Sequence, residues 1–172
     1  LRILDIGTGS GCIAISLALE IGDSVVTAID VSEEALVCAR QNAASLKANV
    51  NFFKLDILNE EIKSQYDLIV SNPPYISVQE KSRMNKNVLD YEPHLALFAP
   101  GTDPLVFYQT IALKSKKALA GGGSLWFELN EHFGEDVKVI LEEQDYRKVQ
   151  ILKDLDNKDR IAVGHRTTDP VY

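Results

Sequence analysis

The sequence has little cysteine: two residues in 172, Cys12 and Cys38. Two thiols build neither a disulfide framework nor a four-cysteine zinc site. Read as free thiols that serve as small packing residues, they assign the chain to a reducing compartment, the cytoplasm. His94, His132 and His165 stand far apart with no metal-ligand spacing, so no metal is expected. No run approaches the roughly 20 uncharged apolar residues of a membrane span, so no membrane association is expected. A basic surplus is also missing: 18 Lys+Arg face 25 Asp+Glu, a net charge of −7. Stable, sequence-independent binding to nucleic acid is therefore not expected. The densest basic cluster, Lys114, Lys116 and Lys117, has the spacing of a solvated helix side. What the chain does have is 45% hydrophobic residues, enough to exclude disorder and to build one core in one domain.

Apolar runs of strand length alternate with longer stretches of helical spacing. Leu1 to Asp5 reads as a buried strand from the first residue, which predicts a fragment whose upstream part is cut away. Helix is expected from Cys12 to Ile21 and strand from Val25 to Asp30. A second helix begins at Ser32, an N-cap followed by Glu33 and Glu34 where the helix dipole favours acids. Strands follow at Val50–Leu55 and Tyr66–Val70, then an irregular stretch from Ser71 to about Thr102. A helix over Asp103–Leu119, a turn at Gly121–Gly123, a strand over Ser124–Leu129 with Trp126 in the core, and a helix over Glu135–Glu143 complete the alternation. Lys148–Leu152 and Arg160–Val163 are close enough for an antiparallel hairpin. The expected fold is α/β and Rossmann-like: a seven-stranded, mostly parallel sheet with the last strand antiparallel and helices on both faces.

The turn after the first strand is Asp5-Ile6-Gly7-Thr8-Gly9-Ser10-Gly11. Its G-x-G-x-G spacing misses the third glycine of the dinucleotide fingerprint, and no Gly-Lys-Ser/Thr ending makes a phosphate loop. An acid beside the glycines suits a positive ligand group better than a phosphate. S-adenosylmethionine, with a sulfonium, an ammonium and a ribose diol, meets that description. Asp30, with Val31 beside it, ends the second strand where an acid can accept from ribose hydroxyls. Asp56 follows the third strand and suits the adenine amino group, with Ile57 packing on the ring.

After the fourth strand the chain reads Ser71-Asn72-Pro73-Pro74-Tyr75. Two prolines hold the backbone extended. The Asn72 side-chain oxygen and the Pro73 carbonyl can accept the two hydrogens of a planar NH2 group while Tyr75 packs on its plane. An amide or exocyclic amine nitrogen is a poor nucleophile, and two fixed acceptors orient it and stabilise the charge it develops.

The glycine motif together with Asn72-Pro73-Pro74-Tyr75 is similar to the amino-group methyltransferases, a class I superfamily that modifies DNA or RNA bases and protein glutamine. The tetrapeptide alone does not separate these acceptors. Val70-Ser71-Asn72-Pro73-Pro74-Tyr75-Ile76, Tyr91-Glu92-Pro93-His94-Leu95-Ala96-Leu97 and Asp156-Asn157-Lys158-Asp159-Arg160 resemble the signatures of the HemK (PrmC) enzymes. These methylate the N5 amide nitrogen of the Gly-Gly-Gln glutamine in peptide chain release factors. The resemblance covers essentially the whole chain, 1–172, as a methyltransferase domain. The helical N-terminal domain that helps that family bind its substrate is not among these residues.

The resemblance implies S-adenosylmethionine as methyl donor, leaving S-adenosylhomocysteine, and a release factor as partner. It implies a cofactor site of Asp5, Gly7, Thr8, Gly9, Gly11, Asp30, Val31, Asp56, Ile57 and Asn72. It further implies catalysis by Asn72, Pro73 and Tyr75, with Pro74 and Glu92 shaping the substrate side. A ribosomal-protein glutamine, or an adenine amine in DNA or RNA, remains the alternative acceptor.

Overall fold

The computed structural model describes residues 1–74 and 103–167. Among them the chain lays down β1 (Arg2–Ile6), α1 (Cys12–Glu20), β2 (Val25–Asp30), α2 (Glu33–Leu46), β3 (Val50–Lys54), β4 (Tyr66–Ser71), α3 (Val106–Ala118), β5 (Leu119–Glu128), α4 (Gly134–Glu143), β6 (Arg147–Lys153) and β7 (Asp159–His165). The strands form one sheet in the order β3-β2-β1-β4-β5-β7-β6. Pairing is parallel from β3 through β5, and β7 runs antiparallel to both its neighbours. This is the architecture expected from the alternation of apolar runs, including the closing hairpin.

Both faces of the sheet are covered, and the two-residue period of a strand divides the side chains between them. Ile3 of β1 packs with Ala14 of α1 and with Val26 and Ala28 of β2 on one side. Leu4 and Ile6 join Ile69, Leu125 and Phe127, capped by Tyr108, Ile111 and Ala112 of α3 and Val137 and Leu141 of α4, on the other. Tyr108 meets Phe127 edge to face, with ring centroids 5.2 Å apart. Ser32 caps α2 as expected, accepting from the Ala35 amide at 3.2 Å, with Glu33 and Glu34 in the first turn.

Four local expectations are corrected. Gly121–Gly123 is not a turn but part of β5, which begins at Leu119 and shifts register against β4 between Tyr66 and Leu68. A Cβ on Gly123 would lie 2.9 Å from the Asp67 carbonyl oxygen, so the glycines let the strand bulge against its neighbour. Trp126 is half-buried, not core, because Leu125, Phe127 and Leu129 take the packed face; its indole N–H donates to Ser124 Oγ at 3.0 Å. Cys12 and Cys38 are exposed on α1 and α2. Lys114, expected on the solvated side of its helix, is buried. Among the described residues, no helix is long and apolar enough to cross a membrane.

Candidate functional site

In a parallel sheet the strand order decides where side chains gather. The chain leaves β1 outward through β2 to β3, then returns to lay β4 on the other side of β1. At that reversal the loops leave in opposite directions and open a crevice beyond the carboxyl ends of the strands. The segments following β1, β2, β3 and β4 all start on this edge.

The glycine loop is anchored to β2. The Gly7 and Thr8 amides both donate to the Ile29 carbonyl, at 2.9 and 3.0 Å. Gly7, Gly9 and Gly11 have φ of 72°, 55° and 86°, values that side-chain-bearing residues rarely adopt. The three serve different ends. Among the described residues, nothing lies within 4 Å of where a Cβ on Gly7 or Gly9 would project, so an open cradle flanks the backbone there. A Cβ on Gly11 would come within 3.0 Å of Ile15 Cδ1 and 3.1 Å of Ala39 Cβ, so this glycine lets α1 and α2 close on each other.

Asp5 lies under the loop and is 1% exposed. Its Oδ2 accepts from Thr8 Oγ1 at 2.6 Å and from the Ala14 amide at 3.2 Å, which fixes Thr8 and the first turn of α1. Its Oδ1 is buried with no hydrogen-bond partner among the described residues. Burial pushes the Asp5 carboxyl up to about 6; the Thr8 and Ala14 bonds oppose this and the charge of Asp30 adds to it.

This carries a stability prediction. The folded protein binds the Asp5 proton more tightly than the unfolded chain, whose pKa is near the ordinary 3.8. The stability contributed by this proton is therefore fully present below about pH 4 and is lost as pH rises through about 6. The difference between 3.8 and about 6 corresponds to roughly 3 kcal/mol across that window. Denaturant titrations at pH 4 to 7 are expected to show Asp5→Asn with a flatter profile than the parent. Parallel profiles would exclude this origin.

Asp30 bridges two segments of the site. Its Oδ2 accepts from the Gly9 amide at 2.8 Å and its Oδ1 from the Ser32 amide at 2.9 Å, so one carboxylate ties the glycine loop to the start of α2. Val31, next to it, is 46% exposed. Asp56 is half-buried in a turn stitched by its own side chain: Oδ1 accepts from the Leu58 amide at 3.0 Å and Oδ2 from Asn59 Nδ2 at 2.7 Å. Ile57 is 7% exposed and belongs to the larger core cluster, which limits the surface it can offer a ligand.

Beyond β4, Asn72 is exposed, Pro73 buried and Pro74 half-buried. The residue that sets them in place, Ser71, was given no role in the sequence reading. It pairs with Ile6 across β4 and β1, and its hydroxyl donates to the Ile6 carbonyl at 2.8 Å in a buried bond. Asn72 is thereby fixed beside the start of the glycine loop. Tyr75, Glu92 and the Tyr91–Leu97 segment lie outside the described residues.

The Asp156–Arg160 segment closes the turn between β6 and β7 and supplies the first two residues of β7. Arg160 grips Asp154 through Nε and Nη2 at 3.1 and 2.9 Å, and Lys158 pairs with Glu131 at 2.8 Å. Among the described residues no group of histidine, cysteine and acidic side chains is placed to hold a metal. A separate concavity of about 640 Å³, lined in part by Lys116, Lys117, Arg147 and Arg166, opens at the other end of the sheet and shares no residue with the crevice.

The chain is similar to known methyltransferases. Residues 1–92 match the family model described as methyltransferase small domain. The chain is 49% identical over 167 residues to a release factor glutamine methyltransferase of Bacteroides thetaiotaomicron, covering 96% of this chain and 60% of that protein. It is 44% identical over 162 residues to one of Flavobacterium psychrophilum, covering 94% and 57%. The chain thus spans about three fifths of the length of these relatives. A methyltransferase of Pyrococcus furiosus superposes with a TM-score of 0.70 at 21% identity, covering 96% of this chain and 75% of that one, a likeness of fold.

Proposed function

The chain belongs to the methyltransferase small domain family, and from that premise we propose that it transfers a methyl group from S-adenosylmethionine to the glutamine amide nitrogen of a release factor. The residues of the crevice fit the donor. Gly7 and Gly9 leave an open cradle, and beside it a buried carboxylate oxygen of Asp5 lacks a partner among the described residues. Asp30 ends β2 and Asp56 follows β3, as a ribose and an adenine amine require. When bound, the cofactor supplies a methyl carbon made electrophilic by its sulfonium. Gly7, Thr8, Gly9 and Asp5 would hold the amino-acid end, Asp30 and Val31 the ribose side, and Asp56 and Ile57 the base.

The acceptor amide falls to the segment after β4. Its nitrogen lone pair is delocalised into the carbonyl, so binding alone leaves it unreactive. Asn72 Oδ1 and the Pro73 carbonyl accept its two hydrogens, hold the nitrogen toward the crevice and stabilise the positive charge that grows on it. Pro73 is buried and precedes Pro74, which confines it to an extended conformation and so restricts the direction of its carbonyl before substrate arrives. Holding both partners in line is worth about 7–11 kcal/mol of barrier at best. Tyr75, Pro74 and Glu92 belong to the acceptor side of this proposal.

The observation that supports the reading is the Ser71–Ile6 hydrogen bond, which joins the start of the segment after β4 to the end of β1, where the glycine loop begins. The acceptor is taken as glutamine in a release factor because the relatives with 49% and 44% identity carry that name. The surplus of seven acidic charges gives a nucleic-acid acceptor no electrostatic support. The test is transfer of labelled methyl to a purified release factor. Label is expected on the parent substrate and lost when its Gly-Gly-Gln glutamine is changed to alanine. Label that persists, or appears only on RNA, DNA or a ribosomal protein, excludes this acceptor.

A further inference from the structure

Lys114 is the anomaly of α3. It stands between Ile111 and Ala118 on the helix's buried face and is 9% exposed. No carboxylate pairs with it among the described residues. Its ammonium instead donates to three backbone carbonyls: Glu60 at 2.7 Å, Ile57 at 2.8 Å and Leu58 at 3.3 Å. An ammonium has three donors, and here each has an acceptor. Removing such a charge from water costs several kcal/mol, so the site keeps it only by satisfying it fully.

The three carbonyls belong to the turn that carries Asp56. That turn winds on itself: the Asn59 and Glu60 amides donate to the Asp56 carbonyl at 3.0 and 2.8 Å, and Glu60 Oε1 accepts from the Asp56 amide at 2.9 Å. The winding directs the next carbonyls inward, where their dipoles repel unless a cation lies between them. Lys114 is that cation, reaching across from more than fifty residues away in the chain.

We propose that Lys114 is a positioning residue of the cofactor site: by holding the carbonyls of Ile57, Leu58 and Glu60 it sets the turn that presents Asp56, and so governs recognition of the adenine end. The inference rests on the cofactor reading above. It predicts a loss specific to the base. A carboxylate only accepts hydrogen bonds, so a correctly placed Asp56 favours the 6-amino group of adenosine over the 6-oxo group of inosine.

The experiment measures calorimetric affinities of S-adenosylhomocysteine, adenosine and inosine for the whole chain, with melting temperatures alongside. Lys114→Met keeps the length of the side chain and removes the donors. It is expected to weaken S-adenosylhomocysteine and adenosine by about tenfold or more and to erase the preference over inosine, as loss of an orienting partner does elsewhere. Lys114→Ala is expected to recover affinity when propylammonium is added to fill the vacated space, a readout independent of how well Lys114→Met folds. A lowered melting temperature with parental affinity and base preference in either variant overturns the proposal and leaves Lys114 a structural cation. Failure of the parent chain to bind S-adenosylhomocysteine or adenosine at all overturns the cofactor reading itself, and this proposal with it.

Discussion

Asn72→Ala is expected to lower the turnover of methyl transfer by about 10²–10³-fold, the magnitude typical of removing one preorganised partner of a developing charge. Affinity for S-adenosylhomocysteine is expected to change by less than about tenfold, since one neutral hydrogen bond contributes about 1 kcal/mol. The asymmetry follows from placement. The glycine cradle is held by the Ile29 carbonyl and the Asp30 carboxylate, neither of which depends on Asn72. Asn72 is held by β4 through the buried Ser71–Ile6 bond and presents an exposed side chain. Asn72→Gln serves as a sharper probe. It keeps the amide and moves it by one methylene, and a misplacement on the order of 1 Å can cost 10²-fold in rate. Single-turnover kinetics with saturating substrates make the measurement, and a variant with more than a tenth of the parental rate would remove Asn72 from the clamp.

The second large effect is on the cofactor. Asp30→Ala is expected to weaken binding by about 100-fold or more, because hydrogen bonds to a charged acceptor contribute about 1.5–3 kcal/mol each. Two losses combine. The carboxylate that would accept from the ribose is gone, and the Gly9 and Ser32 amides lose their shared anchor, so the loop and the start of α2 are no longer tied together. Asp30→Asn is expected to rescue little. An amide offers one acceptor, and its NH2 must then face one of the two backbone N–H groups. Equilibrium dialysis with labelled cofactor is the direct check, and parental affinity in Asp30→Ala would place the ribose elsewhere.

Much of the fold was legible because its signals are local. Apolar runs of strand length, the Ser32 cap and the closing hairpin each depend on residues close in sequence, and apart from the early start of β5 they appear where the spacing puts them. The glycine loop and the acids after β2 and β3 were legible for the same reason. What was not legible depends on partners far along the chain. Lys114 looks like a solvated lysine beside Lys116 and Lys117, and only the turn at Ile57–Glu60 makes its burial affordable. Gly121–Gly123 looks like a turn because the close approach of the Asp67 carbonyl, which calls for a glycine in the strand, is a tertiary contact. Trp126 carries the composition of a core residue, yet strand alternation gives the packed face to its neighbours.

The return of β4 to the flank of β1 divides labour along the chain. Apart from Asn72 and the positioning Lys114, every residue assigned to contact the methyl donor lies within the first 57 positions, whereas the acceptor residues begin at 72. Among the described residues, the two groups are joined through the seam between β1 and β4. Evolution can therefore exchange the segment after β4, and with it the molecule that receives the methyl group, without disturbing the donor cradle. Such a socket with interchangeable inserts explains how one scaffold serves many acceptors.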